Sequence, residues 1–180
     1  MNTNGSATLK LIEQAWAARR SKDFLDAEAL LYRAITLSRK ENSKHDLIHA
    51  LTKLGQLKKE RGDTKKAQLI YQEAEKICRS ADNKLLLAKT ILHLGDIYLQ
   101  NHQFELSKTN YNEALAILEK EPQSDKLDLA NCYRSMALFY LETQQIECSM
   151  TYWQKASEIY QKCDIKAGVD ECNAYMNQPK

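Results

Sequence analysis

His45 and His49 lie four residues apart, and on a helix that spacing puts two imidazoles on one face, the beginning of a zinc site. A site needs further ligands, and no HExxH run or CxxC pair supplies them, so neither a metal nor a cofactor is expected. Cys78, Cys132, Cys148, Cys163 and Cys172 form an odd set, four of them within the last 49 residues, and read as reduced small hydrophobes that pack in a core. Lys58, Lys59, Arg61, Lys65 and Lys66 surround Gly62 and could touch phosphates. Glu60 and Asp63 interrupt that run and no aromatic platform accompanies it, so a solvated turn is the preferred reading and nucleic-acid binding ranks below it. There is no glycine-rich phosphate loop and no GxSxG elbow, and the carboxylates scatter over polar positions. No catalytic residue is assigned and no enzyme is expected.

The elements that would position these residues announce themselves by repetition. Ala15, Gly55, Gly95 and Ala137 are 40, 40 and 42 residues apart. Twelve residues after each stands Ala27, Ala67, Ser107 or Ser149, and seven further on Ala34, Ala74, Ala114 or Ala156. Three beyond that comes Leu37, Ile77, Ile117 or Ile159. Such a period is the signature of stacked supersecondary units, which build binding surfaces more often than active sites. Only five Gly and two Pro occur in 180 residues, and Ala, Leu, Lys, Glu and Gln favour helix.

Each repeat divides into two helical patterns. Leu47, Ile48, Leu51 and Leu54 make an apolar stripe within 44–61, Gly62-Asp63 breaks it, and Ala67, Ile70, Tyr71, Ala74, Ile77 and Cys78 share a face within 64–79. Gly62 suits a left-handed C-terminal cap and Asp63 the next N-cap. Further turns are expected at Asn101-His102 and at Gln144. The links between repeats (40–44, 80–84, 121–125 and 162–164) are expected to be slightly longer than the turns within them. Small residues at helix crossings should let an aromatic from the neighbouring helix fill the gap.

The third repeat reads Ile91, Leu94-Gly95, Tyr98, Phe104, Ser107, Tyr111, Ala114, and the second Leu51, Leu54-Gly55, Gly62, Ala67, Tyr71, Ala74. The fourth has Tyr133, Ala137, Tyr140, Ile146, Ser149, Trp153, Ala156, and the first Leu11, Ala15, Phe24, Ala27, Leu31, Ala34. This order resembles the tetratricopeptide repeat (TPR), in a lengthened form, although the glycine is lost from two units and the closing proline from its usual offset. The resemblance covers residues 7–163. It implies an all-α, right-handed superhelical solenoid of antiparallel helix pairs. The expected single domain, 1–180, has repeats at 7–43, 44–83, 84–125 and 126–163, and a capping helix at 165–177.

The resemblance also implies that the first helix of each pair lines a concave groove. By register the candidate binding residues are Trp16 in the first unit and His49, Thr52, Gln56 and Lys59 in the second. The third contributes Lys89, Leu92, Asp96 and Leu99, and the fourth Asn131, Arg134, Leu138 and Leu141. Leu92, Leu99, Leu138 and Leu141 would be apolar steps for an extended peptide or helix, or would simply pack on neighbouring helices. Trp16 would be a binding anchor or a shield for the open end of the stack. Some relatives clamp a C-terminal carboxylate with Lys, Asn and Arg. The matching positions here hold Ile12, Trp16, Lys53, Lys89 and His93, or Thr52, Gln56, His93, Asn131 and Ser135, and lack the paired donors.

The net charge of +2 conceals an asymmetry: residues 1–80 carry 16 basic and 10 acidic side chains, residues 81–180 carry 10 and 14. The N-terminus has no apolar leader and no stretch is apolar enough for a membrane span, so a cytoplasmic protein is expected. Its expected role is a non-catalytic adaptor that holds a protein or peptide partner. A peptide-sensing regulator and a nucleic-acid-associated protein are the alternatives, and self-association is left open.

Overall fold

The computed structural model describes residues 7–177. Among them it places nine α-helices and no strand: α1 (Ala7–Arg20), α2 (Phe24–Lys40), α3 (Lys44–Glu60), α4 (Thr64–Ser80), α5 (Lys84–Gln100), α6 (Phe104–Lys120), α7 (Lys126–Glu142), α8 (Ile146–Lys162) and α9 (Lys166–Met176). Each of the four sequence repeats is one pair of helices, and α9 stands where a capping helix was expected.

The turns explain how the chain reverses so regularly. Seven turns of three residues each hold their middle residue in the left-handed region: Lys22, Asn42, Gly62, Asp82, His102, Gln144 and Asp164, with φ from 49° to 81°. The third residue of each turn then donates its amide back to the last turn of the preceding helix, as in Asp63 N to Lys58 O (2.9 Å) and Gln145 N to Tyr140 O (2.8 Å). Links between repeats therefore match turns within them, contrary to the expected alternation. The exception is 121–125, and Pro122 is the reason. The residue before proline is pushed to extended backbone, and Glu121 (φ −82°, ψ 116°) leaves the helix without making the left-handed turn.

By contacts the chain divides into two compact units, one ending at Leu86 and the other beginning at Leu87. The first has an aliphatic core in which Ile12, Leu30, Leu31, Ala34, Ala50, Leu51, Leu54, Leu57 and Ala74 are buried together. Tyr71 on α4 lies against Gly55 on α3 so closely that a Cβ there would sit 2.8 Å from the ring. The second unit repeats this device, with Tyr111 of α6 filling the space over Gly95 of α5 at 2.5 Å from an added Cβ. Glycine thus makes the tightest room for the aromatic, where small residues in general had been expected to do so.

The second unit is built more from aromatic contacts. Tyr140 and Tyr152 stack at 5.4 Å, Trp153 and Tyr175 at 4.5 Å, and Phe139 meets Phe104, Tyr111 and Tyr140 edge-on. At its helix crossings, Ser107 donates to Gly95 O (3.0 Å) and Ser149 to Ala137 O (2.8 Å), where the first unit has buried Ala27 and Ala67.

Candidate first-helix faces

In the first unit α1 lies beside α3, and Trp16 sits between them, half-buried. The Arg19 guanidinium carbon lies 4.8 Å and the Lys53 Nζ 4.2 Å from the centre of its ring, so two cations rest on one indole. Each cation is held in turn. Arg19 Nε donates to Glu60 at 2.6 Å, and Lys53 Nζ to Gln56 Oε1 at 3.3 Å. His49, Thr52, Gln56 and Lys59 are all half-buried on α3, with Thr52 Oγ1 donating back to Ile48 O. Trp16 therefore belongs to a continuous cationic surface with α3. Sequence spacing gave no hint that Lys53 lies over Trp16, 37 residues away, or that Glu60 holds Arg19, 41 residues away.

In the second unit the same face joins α5, α7 and α9. Lys89 pairs with Asp128 (2.7 Å), and Asp96 Oδ1 accepts from both Tyr111 and Ser135 at 3.0 Å. Arg134 makes two parallel bonds to Glu171 at 2.7 and 2.8 Å, which raise its pKa, and Asn131 accepts from the Tyr160 hydroxyl (2.7 Å). Burial pushes the Tyr160 phenol up to about 12 and, reinforced by Asp96, moves that of Tyr111 upward as well. The charges on this face are largely spent on each other.

Leu99, Leu138 and Leu141 are half-buried and form its apolar part. Leu92, which as a groove candidate would be either an apolar step or packing on neighbouring helices, is only 6% exposed and belongs to the core. Ile12, at the same register position in the first unit, is buried too at 8%, while Thr52 and Arg134 at that position stay half-buried. An apolar side chain at the edge of the buried stripe turns inward because removing it from water is favourable.

Other clusters fare differently. The His45 and His49 rings lie 4.7 Å apart, but among the described residues no three His, Cys, Asp or Glu side chains come together to hold a metal. Of the basic run, Lys58 is 7% exposed and bonds Glu28, Arg61 bonds the same carboxylate at 3.1 Å, and Lys66 bonds Asp63 at 2.9 Å. Cys78, Cys132 and Cys172 are buried, whereas Cys148 is exposed and Cys163 half-buried, so core packing accounts for three of the five. A shallow depression of about 450 Å³ between α1 and α2 is lined by Leu11, Tyr32, Arg33, Thr36, Leu37 and Lys40, away from the candidate residues.

Residues 9–80 and 86–163 match the family model of the tetratricopeptide repeat. Comparison with curated protein sequences finds no match. Among solved structures, the apo form of RapI has a TM-score of 0.81 at 14% identity, over 96% of this chain and 62% of that one. The apo form of the quorum sensor NprR from B. thuringiensis gives 0.75 at 21% identity, over 92% of this chain and 46% of that one. BtubC from P. vanneervenii gives 0.73 at 18% identity, over 87% and 64%. At these identities the likeness is one of fold, and the chain spans less than two thirds of each of these neighbours.

Proposed function

Because the chain belongs to the tetratricopeptide-repeat family, whose arrays generally serve as interaction modules, we propose that it is a non-catalytic cytoplasmic adaptor that binds a peptide segment or helix of a protein partner. The observation that carries this reading is the pattern on the first helices of each unit, where half-buried apolar groups alternate with fixed polar ones. In the second unit Leu99, Leu138 and Leu141 supply the apolar anchors, between Asp96, Asn131 and Arg134. Such a face holds a partner by inserting side chains between rigid polar groups. No helix among the described residues is long and apolar enough to cross a membrane.

The test is affinity capture from native lysate with three chains: wild type, Leu138→Arg and Leu69→Arg. Leu69 is 66% exposed on α4, a second helix, and serves as the control. A protein retained by wild type and Leu69→Arg but lost by a folded Leu138→Arg supports the reading. Equal capture by all three contradicts it. A second reading, a peptide-sensing regulatory unit, draws support from the likeness to the quorum sensor NprR, of which this chain spans 46%.

A further inference from the structure

The first-helix faces of the two units differ in charge, and that difference points to a partner chemistry for one of them. In the second unit Lys89 answers Asp128 and Arg134 answers Glu171. In the first, Glu60 answers Arg19, but the face still carries more cations than carboxylates: Arg19, Arg20, Lys53 and Lys59 accompany Trp16 on α1 and α3, against Glu13 and Glu60. His49 lies one turn before Lys53 on the same helix. Arg19 and Lys53 are placed over the indole, and their bonds to Glu60 and Gln56 hold the charged groups in position before any ligand arrives. A cation fixed beside an apolar ring suits a carboxylate carried on a short apolar stem, because the ring takes the stem and the cation the charge.

We propose that the α1–α3 face around Trp16 binds an acidic peptide segment, through the side-chain carboxylates of the segment and with an apolar residue seated against the indole. This rests on the reading of the first-helix faces as peptide-binding surfaces and names the partner class for the first unit. A nucleic acid is disfavoured, since Trp16 is the one Phe, Tyr or Trp side chain on α1 and α3, and successive bases need a run of aromatic platforms. The clamp for a terminal carboxylate is absent, so recognition falls on side-chain carboxylates within the segment.

Trp16 supplies its own reporter. The chain has two tryptophans, and Trp153 is 1% exposed in the other unit, so Trp153→Phe leaves Trp16 as the only indole. If that variant melts early, the Trp16 indole N–H is followed by NMR in the wild-type chain instead. The probes are 12-residue, C-terminally amidated peptides of alternating Glu and Leu, the same peptide with Gln for Glu, and an oligothymidylate. The expected result is a Trp16 shift with the Glu peptide at an affinity at least tenfold above the Gln peptide. The preference should shrink to under threefold in Arg19→Gln/Lys53→Gln and persist in Arg19→Lys. Equal binding of Glu and Gln peptides overturns the acidic specificity. Binding that requires a free C-terminal carboxylate overturns recognition through side chains, and tighter binding of the oligothymidylate overturns the partner class. Silence of Trp16 towards every probe overturns the site, while the Leu138→Arg capture result stands or falls separately on the second unit.

Discussion

The two units carry the same repeat but hold it together with different chemistry. In the first, carboxylates on one helix pair reach cations on another: Glu28 takes Lys58 and Arg61, Glu60 takes Arg19, and Glu73 takes Arg39. Its helices also begin well, since Asp23, Ser43 and Asp63 each accept an amide from the first turn of α2, α3 or α4. In the second unit Lys89–Asp128 and Arg134–Glu171 also join helix pairs and Asp125 caps α7, but Gln103, Gln145 and Ile165 precede α6, α8 and α9 without capping them, and aromatic rings are stacked through the interior. The two units thus share the turn and a glycine–tyrosine crossing, Gly55–Tyr71 in one and Gly95–Tyr111 in the other, while the contacts around them differ. Surface chemistry diverges between units that share these positions.

Trp16 and Trp153, one in each unit, allow the comparison to be tested by following unfolding at each separately. The largest effect is expected at the shared crossing. Gly95→Leu should cost about 3 kcal/mol by overpacking Tyr111, and Gly55→Leu somewhat less because the Tyr71 ring stands farther off. Both are read from urea midpoints, and a neutral Gly95→Leu would remove the crossing as the common element.

Next comes alkali. Burial pushes the Cys132 thiol up to about 12 from an ordinary 9.0, so the unfolded chain ionises first. The stability this group contributes is complete below pH 9 and is lost as pH rises towards 12, amounting to about 2–3 kcal/mol at pH 11. The Trp153 transition should weaken over that range and weaken less in Cys132→Ala. Identical profiles for the two chains would contradict the burial argument.

Lys58→Met should cost about 2 kcal/mol, because Glu28 keeps Arg61 but loses its buried partner. Arg134→Met, whose pair with Glu171 is a third exposed, should cost about 1 kcal/mol or less. Equal losses in thermal melts would show that the ion pairs of the first unit are no more integral than those of the second.

The smallest change is a gain. Gln103 has backbone angles (φ −89°, ψ 66°) close to those of Asp63 (φ −84°, ψ 63°), so Gln103→Asp should add the missing N-cap of α6 and about 1 kcal/mol of stability. Asp63→Ala should lose a similar amount. Thermal melts of both check whether capping separates the units.

Much of the fold was legible because its recurring requirements are steric and fall on residues of recognisable type. Gly55, Gly95 and the repeated alanines Ala27, Ala34, Ala67, Ala74, Ala114 and Ala156, all buried, mark crossings, and Gly62-Asp63 marks a turn. Turns are legible at Asn101-His102 and Gln144 too, but the types of Lys22, His102 and Gln144 do not announce positive φ, which the geometry of a three-residue reversal imposes. Of the links expected to be longer than the turns, 121–125 is the one that is, and Pro122 makes it so. On the candidate faces, register placed Trp16, Asp96 and Arg134 on the first helices. It could not reveal Glu171 as the partner of Arg134, 37 residues away, or Lys53 over Trp16, because neither pairing has a local pattern. Register left open whether Leu92 was a groove step or packing, because register assigns a face, while hydrophobicity decides whether a residue at the edge of that face turns inward.

The most direct test of the first-helix faces as the binding surface is hydrogen exchange of the chain, alone and with the partner recovered by capture. Slowed exchange concentrated in α1 and α3, or in α5 and α7, with α2, α4, α6 and α8 unchanged, is the predicted result. Protection confined to the second helices, around exposed Leu69 and Leu106, would contradict it.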